Sequence, residues 1–180
     1  MHILFTRFPL ESAYGGAEVQ TLSLMKGLKE RGHEVSFLGS CPVLLEKAVS
    51  CQLSAVSLDI GEPPVTKWGS VSFLWRQKAM KKKLIEALTA YSSSLTAILM
   101  LSLTEKLLLT DWCAEQGIKV FWIEHDRIGR WLTKNPWLPR LRKLSRFATT
   151  VGVSDLSRDM YVKLGWREED VISIPDEIGR

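Results

Sequence analysis

Cysteine is scarce and irregularly placed: the 180-residue chain holds three, Cys41, Cys51 and Cys113. That odd number excludes a disulfide framework, lacks metal-ligand spacing and points to a reducing cytoplasm. Twelve glycines and seven prolines are too few for a collagenous or low-complexity chain, and 46% apolar with 24% charged residues excludes disorder. The longest apolar stretch, around Leu95 to Leu101, falls far short of the ~20 residues of a membrane span. Met1 leads straight into Ile3-Leu4-Phe5 without a basic region, a long apolar region or a small-residue cleavage site, so no secretory signal is expected. Familiar catalytic signatures are missing as well. There is no G-x-G-x-x-G, no P-loop and no G-x-S-x-G elbow, and His2, His33 and His125 have neither i, i+4 pairing nor zinc spacing.

What the chain does contain is alternation. Short apolar runs at Ile3–Phe8, Val35–Leu38, Leu53–Leu58, Ala97–Leu101, Val120–Ile123, Thr149–Val153 and Val171–Ile174 predict strands. Several are apolar throughout, as strands covered on both faces are. Between them, helices are predicted over Ala17–Arg31, Leu44–Ser50, Ser70–Tyr91, Thr104–Gln116, Pro136–Arg146 and Asp155–Leu164, with Gly32, Gly117 and Gly165 as stops. The first helix carries an expected buried stripe of Ala17, Thr21, Leu24 and Leu28. Gly61–Gly69, with Pro63-Pro64, reads as a loop. This pattern predicts one α/β domain over residues 1–180, Rossmann-like and doubly wound, with a mostly parallel sheet of about seven strands.

The net charge of +4 is uneven. Residues 67–83 hold six Lys/Arg and residues 127–146 hold seven, neither stretch holds an acid, and the remainder is net negative. Both stretches carry tryptophans, Trp68 and Trp75 in one, Trp131 and Trp137 in the other. One reading is a pair of amphipathic helices with solvated basic faces and tryptophan in the core. The other is an acceptor or anionic membrane surface using Trp75, Lys81, Lys82, Lys83, Arg130, Trp131 and Arg140. Nucleic acid is not expected as a partner, because helix-turn-helix spacing, zinc fingers and RNP-like strands are all missing.

Tyr14-Gly15-Gly16-Ala17-Glu18 falls between the first strand and the first helix. In a parallel sheet ligands gather at the carboxyl ends of strands, where a helix start offers unpaired N–H groups. Adjacent glycines permit close approach of a phosphate or sugar and unusual backbone angles; a flexible connecting loop is the structural alternative. His125 is expected at the carboxyl end of the fifth strand, on the same rim, with a loop-capping histidine beside Asp126 as its alternative.

The segment YGGAEVQTLSLMKGLKERGHEVSFLG resembles the opening of a family 4 glycosyltransferase of the GT-B fold. Phe121-Trp122-Ile123-Glu124-His125-Asp126 resembles that family's strand ending in His-Asp, and VGVSDLSRDMYVKLGWREEDVISIP its later strand, Val-Ser, helix, Gly and Ile-Pro segment. The order of these landmarks is that of the family. After Ile174-Pro175 the sequence reads Asp-Glu-Ile-Gly-Arg where relatives continue Asn-Gly-(Val/Ile)-Asp into a second Rossmann-like half. No pair of glutamates separated by seven residues stands in a suitable context.

The resemblance therefore implies the amino-terminal, acceptor-side domain of a retaining glycosyltransferase, with the carboxyl-terminal donor domain absent and little activity expected alone. It implies a nucleotide-diphosphate-sugar as donor substrate, no cofactor and no metal. It makes His125 the catalytic residue facing the sugar and Gly15, Gly16 and Glu18 the donor phosphate or sugar contacts. The expected setting is cytoplasmic and peripheral at the inner face of the membrane, near a lipid acceptor. A non-catalytic binding or partner subunit that supplies an acceptor or membrane surface is the reading from another class.

Overall fold

The computed structural model describes residues 1–10, 15–90, 94–125 and 130–174, with the backbone only at Arg130 and Trp131. Tyr14, Asp126 and the chain after Ile174 lie outside the described residues, as do the Arg130 and Trp131 side chains proposed for the acceptor or membrane surface. Along the chain, β1 (His2–Arg7) leads to α1 (Gly16–Glu30), β2 (Glu34–Gly39), α2 (Pro42–Ser50), β3 (Ser54–Ser57) and α3 (Lys67–Thr89). Then come β4 (Leu95–Met100), α4 (Leu103–Glu115), β5 (Lys119–Glu124), α5 (Arg130–Thr133), α6 (Leu138–Leu144), β6 (Thr149–Gly152), α7 (Asp155–Lys163) and β7 (Val171–Ser173).

All seven strands lie where apolar runs predict them, within two residues at each end. Every pair is parallel, and the sheet order is β3-β2-β1-β4-β5-β6-β7. Both faces are covered, which is why interior strands such as β1 and β4 carry no polar alternation. Leu4, Ile98 and Trp122 pack against α3, α4 and α6 on one side. Ile3, Phe5, Phe37, Leu99 and Ile123 pack against α1 and α2 on the other. The three expected helix stops adopt the left-handed backbone that glycine tolerates, with φ of +80° at Gly32, +72° at Gly117 and +102° at Gly165.

Several expectations are revised. The buried residues of α1 are Glu18, Thr21, Leu22 and Met25, while Leu24 is exposed. The stripe is rotated because a carboxylate, not an alkyl group, holds its first turn to the sheet. Gly69 belongs to α3 and not to a loop: Thr66 starts the helix by accepting a hydrogen bond from Gly69 N at 2.8 Å. A Cβ at Gly69 would stand 2.6 Å from the Pro63 carbonyl oxygen, so glycine lets the Pro63-Pro64 segment lie directly on the helix. The helix expected from Pro136 begins at Leu138, because the Asn135 side chain accepts from Trp137 N at 2.9 Å and holds a turn there.

The tryptophans of the two basic stretches divide. Trp137 packs edge-on against Phe73 with ring centroids 5.0 Å apart, as a core reading requires. Trp68 and Trp75 are instead 82% and 74% exposed.

Candidate functional site

In the sheet order, β1 is flanked by β2 on one side and β4 on the other, and the chain winds away from it in opposite directions. Ligands of open α/β sheets bind in the crevice outside such a switch point. A cleft of about 310 Å³ occupies that position. Its walls come from Arg7 and Phe8 at the end of β1, Ala17 at the start of α1, Leu101 to Leu103 with Lys106 after β4, and Glu124 with His125 at the end of β5. Pro63 and Val65 close one side, and Trp122, Tyr161 and Trp166 also line it. Trp122 is fully buried and donates its indole N–H to Thr110 Oγ1 at 3.1 Å, so its apolar body is available to the cleft without an unpaired donor.

The start of α1, just after the diglycine, and His125, 109 positions beyond Gly16, thus lie at one lip of the sheet, where Ala17 and His125 both line the cleft and Gly15 and Gly16 do not. Thr21 Oγ1 lies 3.3 Å from His125 Nε2 and donates its single proton to the Ala17 carbonyl at 2.7 Å. The hydroxyl can only accept from the ring, which places the proton of the neutral imidazole on Nε2 and makes Nδ1 its acceptor nitrogen. Thr21→Val removes this constraint. We expect a loss of about 1 kcal/mol in folding stability and the appearance of the Nδ1–H tautomer, read from the ring-nitrogen NMR shifts of His125. Unchanged shifts would mean that Thr21 does not hold the ring.

Neither glycine is demanded by its own backbone angles or by crowding among the described residues. Gly15 is extended, at φ −133° and ψ −171°, a conformation open to any residue, and a Cβ at Gly16 would meet nothing within 4 Å. Gly15 N–H is also committed, donating to Glu18 Oε2 at 3.0 Å. The groups left to face a ligand are the first-turn N–H groups of Gly16 and Ala17, which α-helix geometry leaves without an intrahelical acceptor. Glu18, expected at the donor, is turned inward: it is buried, caps Gly15 and pairs with Arg7 at 2.5 Å.

Charged residues that sequence reasoning passed over also line the cleft. Lys106 and Glu124 are both buried and form an ion pair at 2.8 Å, and the same ammonium donates to the Ile123 carbonyl at 3.4 Å. Lys106 therefore clamps the backbone immediately before His125. Its neighbour Glu105 is fully buried and accepts at Oε1 from Ser102 N at 2.7 Å and Leu101 N at 3.2 Å. Burial pushes its carboxyl up to about 8, against the lowering effect of the backbone N–H groups and of Lys106. Glu105 is thus protonated at neutral pH. The visible clue was a Glu-Lys pair inside the otherwise apolar run LTEKLLLT.

Of the residues proposed for an acceptor or membrane surface, four make internal ties. Lys81 pairs with Asp111 at 3.0 Å, and Lys83 donates to the Asp59 carbonyl. Arg140 donates to Gln77 at 2.7 Å and to the Leu107 carbonyl at 3.0 Å. Lys82 stands 3.8 Å from Glu86, and both it and Trp75 are on an exposed face.

A family profile described as Glycosyltransferase Family 4 matches residues 14–176, from the diglycine turn through the last strand. The chain belongs to that family. Solved structures similar to this family 4 chain share its fold. A glycosyltransferase from Rickettsia africae ESF-5 superposes with a TM-score of 0.67 at 15% identity, covering 97% of this chain and 42% of that one. A UDP-GlcNAc 2-epimerase from Neisseria meningitidis, bound to UDP-GlcNAc, gives 0.61 at 14% identity, covering 96% and 46%. MurG of Acinetobacter baumannii gives 0.57 at 14%, covering 84% and 41%. The chain spans less than half the length of these three, so its architecture corresponds to one Rossmann-like half of a GT-B fold. Comparison with curated proteins yields no match.

Proposed function

We propose that this family 4 domain is the amino-terminal, acceptor-side half of a retaining glycosyltransferase that moves a sugar from a nucleotide diphosphate to an acceptor hydroxyl. The observation that carries the reading is the shared cleft of the α1 start and His125 at the switch point of the sheet. Retention of anomeric configuration comes from the family resemblance alone.

The hard step of such a reaction is departure of a diphosphate from an oxocarbenium-like carbon. Groups fixed in advance toward the growing negative charge accelerate it more than added ground-state binding does. The N–H groups of Gly16 and Ala17, with the positive end of α1 behind them, are suited to that charge. His125, its tautomer set by Thr21, orients the transferred sugar. The remaining cations that hold the nucleotide come from a second Rossmann-like half, so the 180 residues by themselves bind a sugar donor weakly and do not turn it over.

Saturation-transfer NMR with UDP-glucose, GDP-mannose and ADP-glucose, run beside a donor-turnover assay, tests this. The expected outcome is saturation of the sugar-ring protons of at least one donor, lowered severalfold by His125→Ala, with no turnover. Robust turnover by the purified chain sinks the half-enzyme reading, and no saturation of any sugar ring sinks the assigned site.

A further inference from the structure

The first half of α3 presents an apolar face with no described partner. Trp68 and Trp75 stand almost wholly in solvent, and Val71 and Leu74 between them are exposed too. At 100° per residue these four fall within one arc of about 120°. Lys67, Lys78 and Lys82, also exposed, fall within the same arc. Residues 67–83 contain no acid; the first carboxylate along this face is Glu86, 3.8 Å from Lys82 at its far end. Contiguous exposed apolar surface rimmed by charge marks an interaction site.

We propose that this face docks the protein on an anionic lipid bilayer. Charge decides between the possible occupants. Within that arc every ion short of Glu86 is a cation, and Glu62 at the helix start is engaged by Thr66 Oγ1 at 2.9 Å, so two copies meeting through this face would oppose like charges, whereas an anionic headgroup layer complements the lysines. Indole rings favour the depth where headgroups meet acyl chains, and lysines extend from that depth to the phosphates. The other cations of the stretch, Arg76, Lys81 and Lys83, are already tied to the Glu62 carbonyl, to Asp111 and to the Asp59 carbonyl. The docking cations within the arc are Lys67, Lys78 and Lys82, the last with Glu86 at 3.8 Å on its far side.

The start of α3 adjoins the cleft. Pro63 and Val65 wall the cleft, and Thr66, the next residue, caps α3 two positions before Trp68. The wall is fixed to the helix through the Pro64 carbonyl, which accepts from Ser70 Oγ at 2.9 Å and from Asn135 Nδ2 at 3.0 Å. Where the transfer reading above holds, an acceptor borne by the bilayer arrives beside His125; the docking itself does not depend on that reading.

Co-sedimentation of the purified chain with vesicles at low salt tests it, comparing phosphatidylcholine alone with an equal mixture of phosphatidylcholine and phosphatidylglycerol. We expect at least ~10-fold stronger partitioning to the mixed vesicles, declining as salt rises. Lys78→Glu with Lys82→Glu abolishes that preference. Trp68→Ser with Trp75→Ser lowers binding to mixed vesicles by ~10-fold and removes the quenching of tryptophan fluorescence by brominated lipid. All four positions are exposed, and circular dichroism verifies that both variants fold. Equal partitioning to the two vesicle types, or two variants that bind as the wild type does, overturns the proposal. So does lipid-free self-association that both variants abolish, which would give the face to a second copy. None of these outcomes bears on sugar binding in the cleft, so the two readings fail separately.

Discussion

Replacing Lys106 by methionine costs the folded chain about 3–5 kcal/mol at neutral pH, because it strands a buried carboxylate without its counter-ion. The pair to be broken, Lys106 Nζ with Glu124 Oε1 at 2.8 Å, is covered on both sides by protein. The attraction between the two charges roughly offsets the cost of bringing them out of water; removing one leaves that cost uncompensated. The double variant Lys106→Met/Glu124→Leu should regain most of the loss, since apolar groups of similar size can replace a buried pair at little net cost. Urea unfolding of the single and double variants measures both. A single-variant loss below about 1 kcal/mol would mean that water reaches Glu124 and that the pair does not fix the backbone ahead of His125.

Glu105→Gln should convert a pH-dependent stability into a flat one. The wild-type carboxyl ionises near 8 when folded, against an ordinary value of 4.5. Between these values the folded chain holds a proton that the unfolded chain releases, so stability falls as pH rises through the window and this group adds no further change above about pH 8. The full swing is on the order of several kcal/mol. Glutamine keeps an oxygen for Ser102 N and Leu101 N, now accepting at 2.7 and 3.2 Å, and never ionises. The two proteins should be about equally stable near pH 5, with the variant ahead near pH 9. Other titrating groups cancel in the difference. Parallel slopes for the two proteins would place the Glu105 carboxyl in contact with solvent.

The strands and their order along the chain were legible because each interior strand of a parallel sheet is sealed on both faces. That environment leaves a short unbroken apolar run that few other structures produce. The glycine stops were legible for an equally local reason, the left-handed turn at Gly32, Gly117 and Gly165. The buried side of α1 was not. Glu18 belongs to it, and a hydropathy stripe assigns a glutamate to solvent unless the Arg7 that neutralises it is known to be adjacent. Lys106 and Glu124 stayed hidden for the same reason: their meeting depends on how α4 lies over β5. Trp68 and Trp75 fitted two readings, since a Trp-Lys alternation suits a core-facing helix and a lipid-facing one alike. Only the packing of Phe73, Met80 and Leu84 inward shows which side of α3 faces the core. His125 was placed correctly because the carboxyl end of a strand is a position that sequence alone can mark.

The Pro64 carbonyl takes one hydrogen bond from Ser70 on α3 and another from Asn135 in the turn before α6. A single oxygen held from two directions acts as a rivet. Any force applied to the outer side of α3 travels through it to the turn preceding α6, instead of dissipating in a slack connection. Pulling on that helix would therefore strain the rim of the crevice before it loosened the sheet beneath.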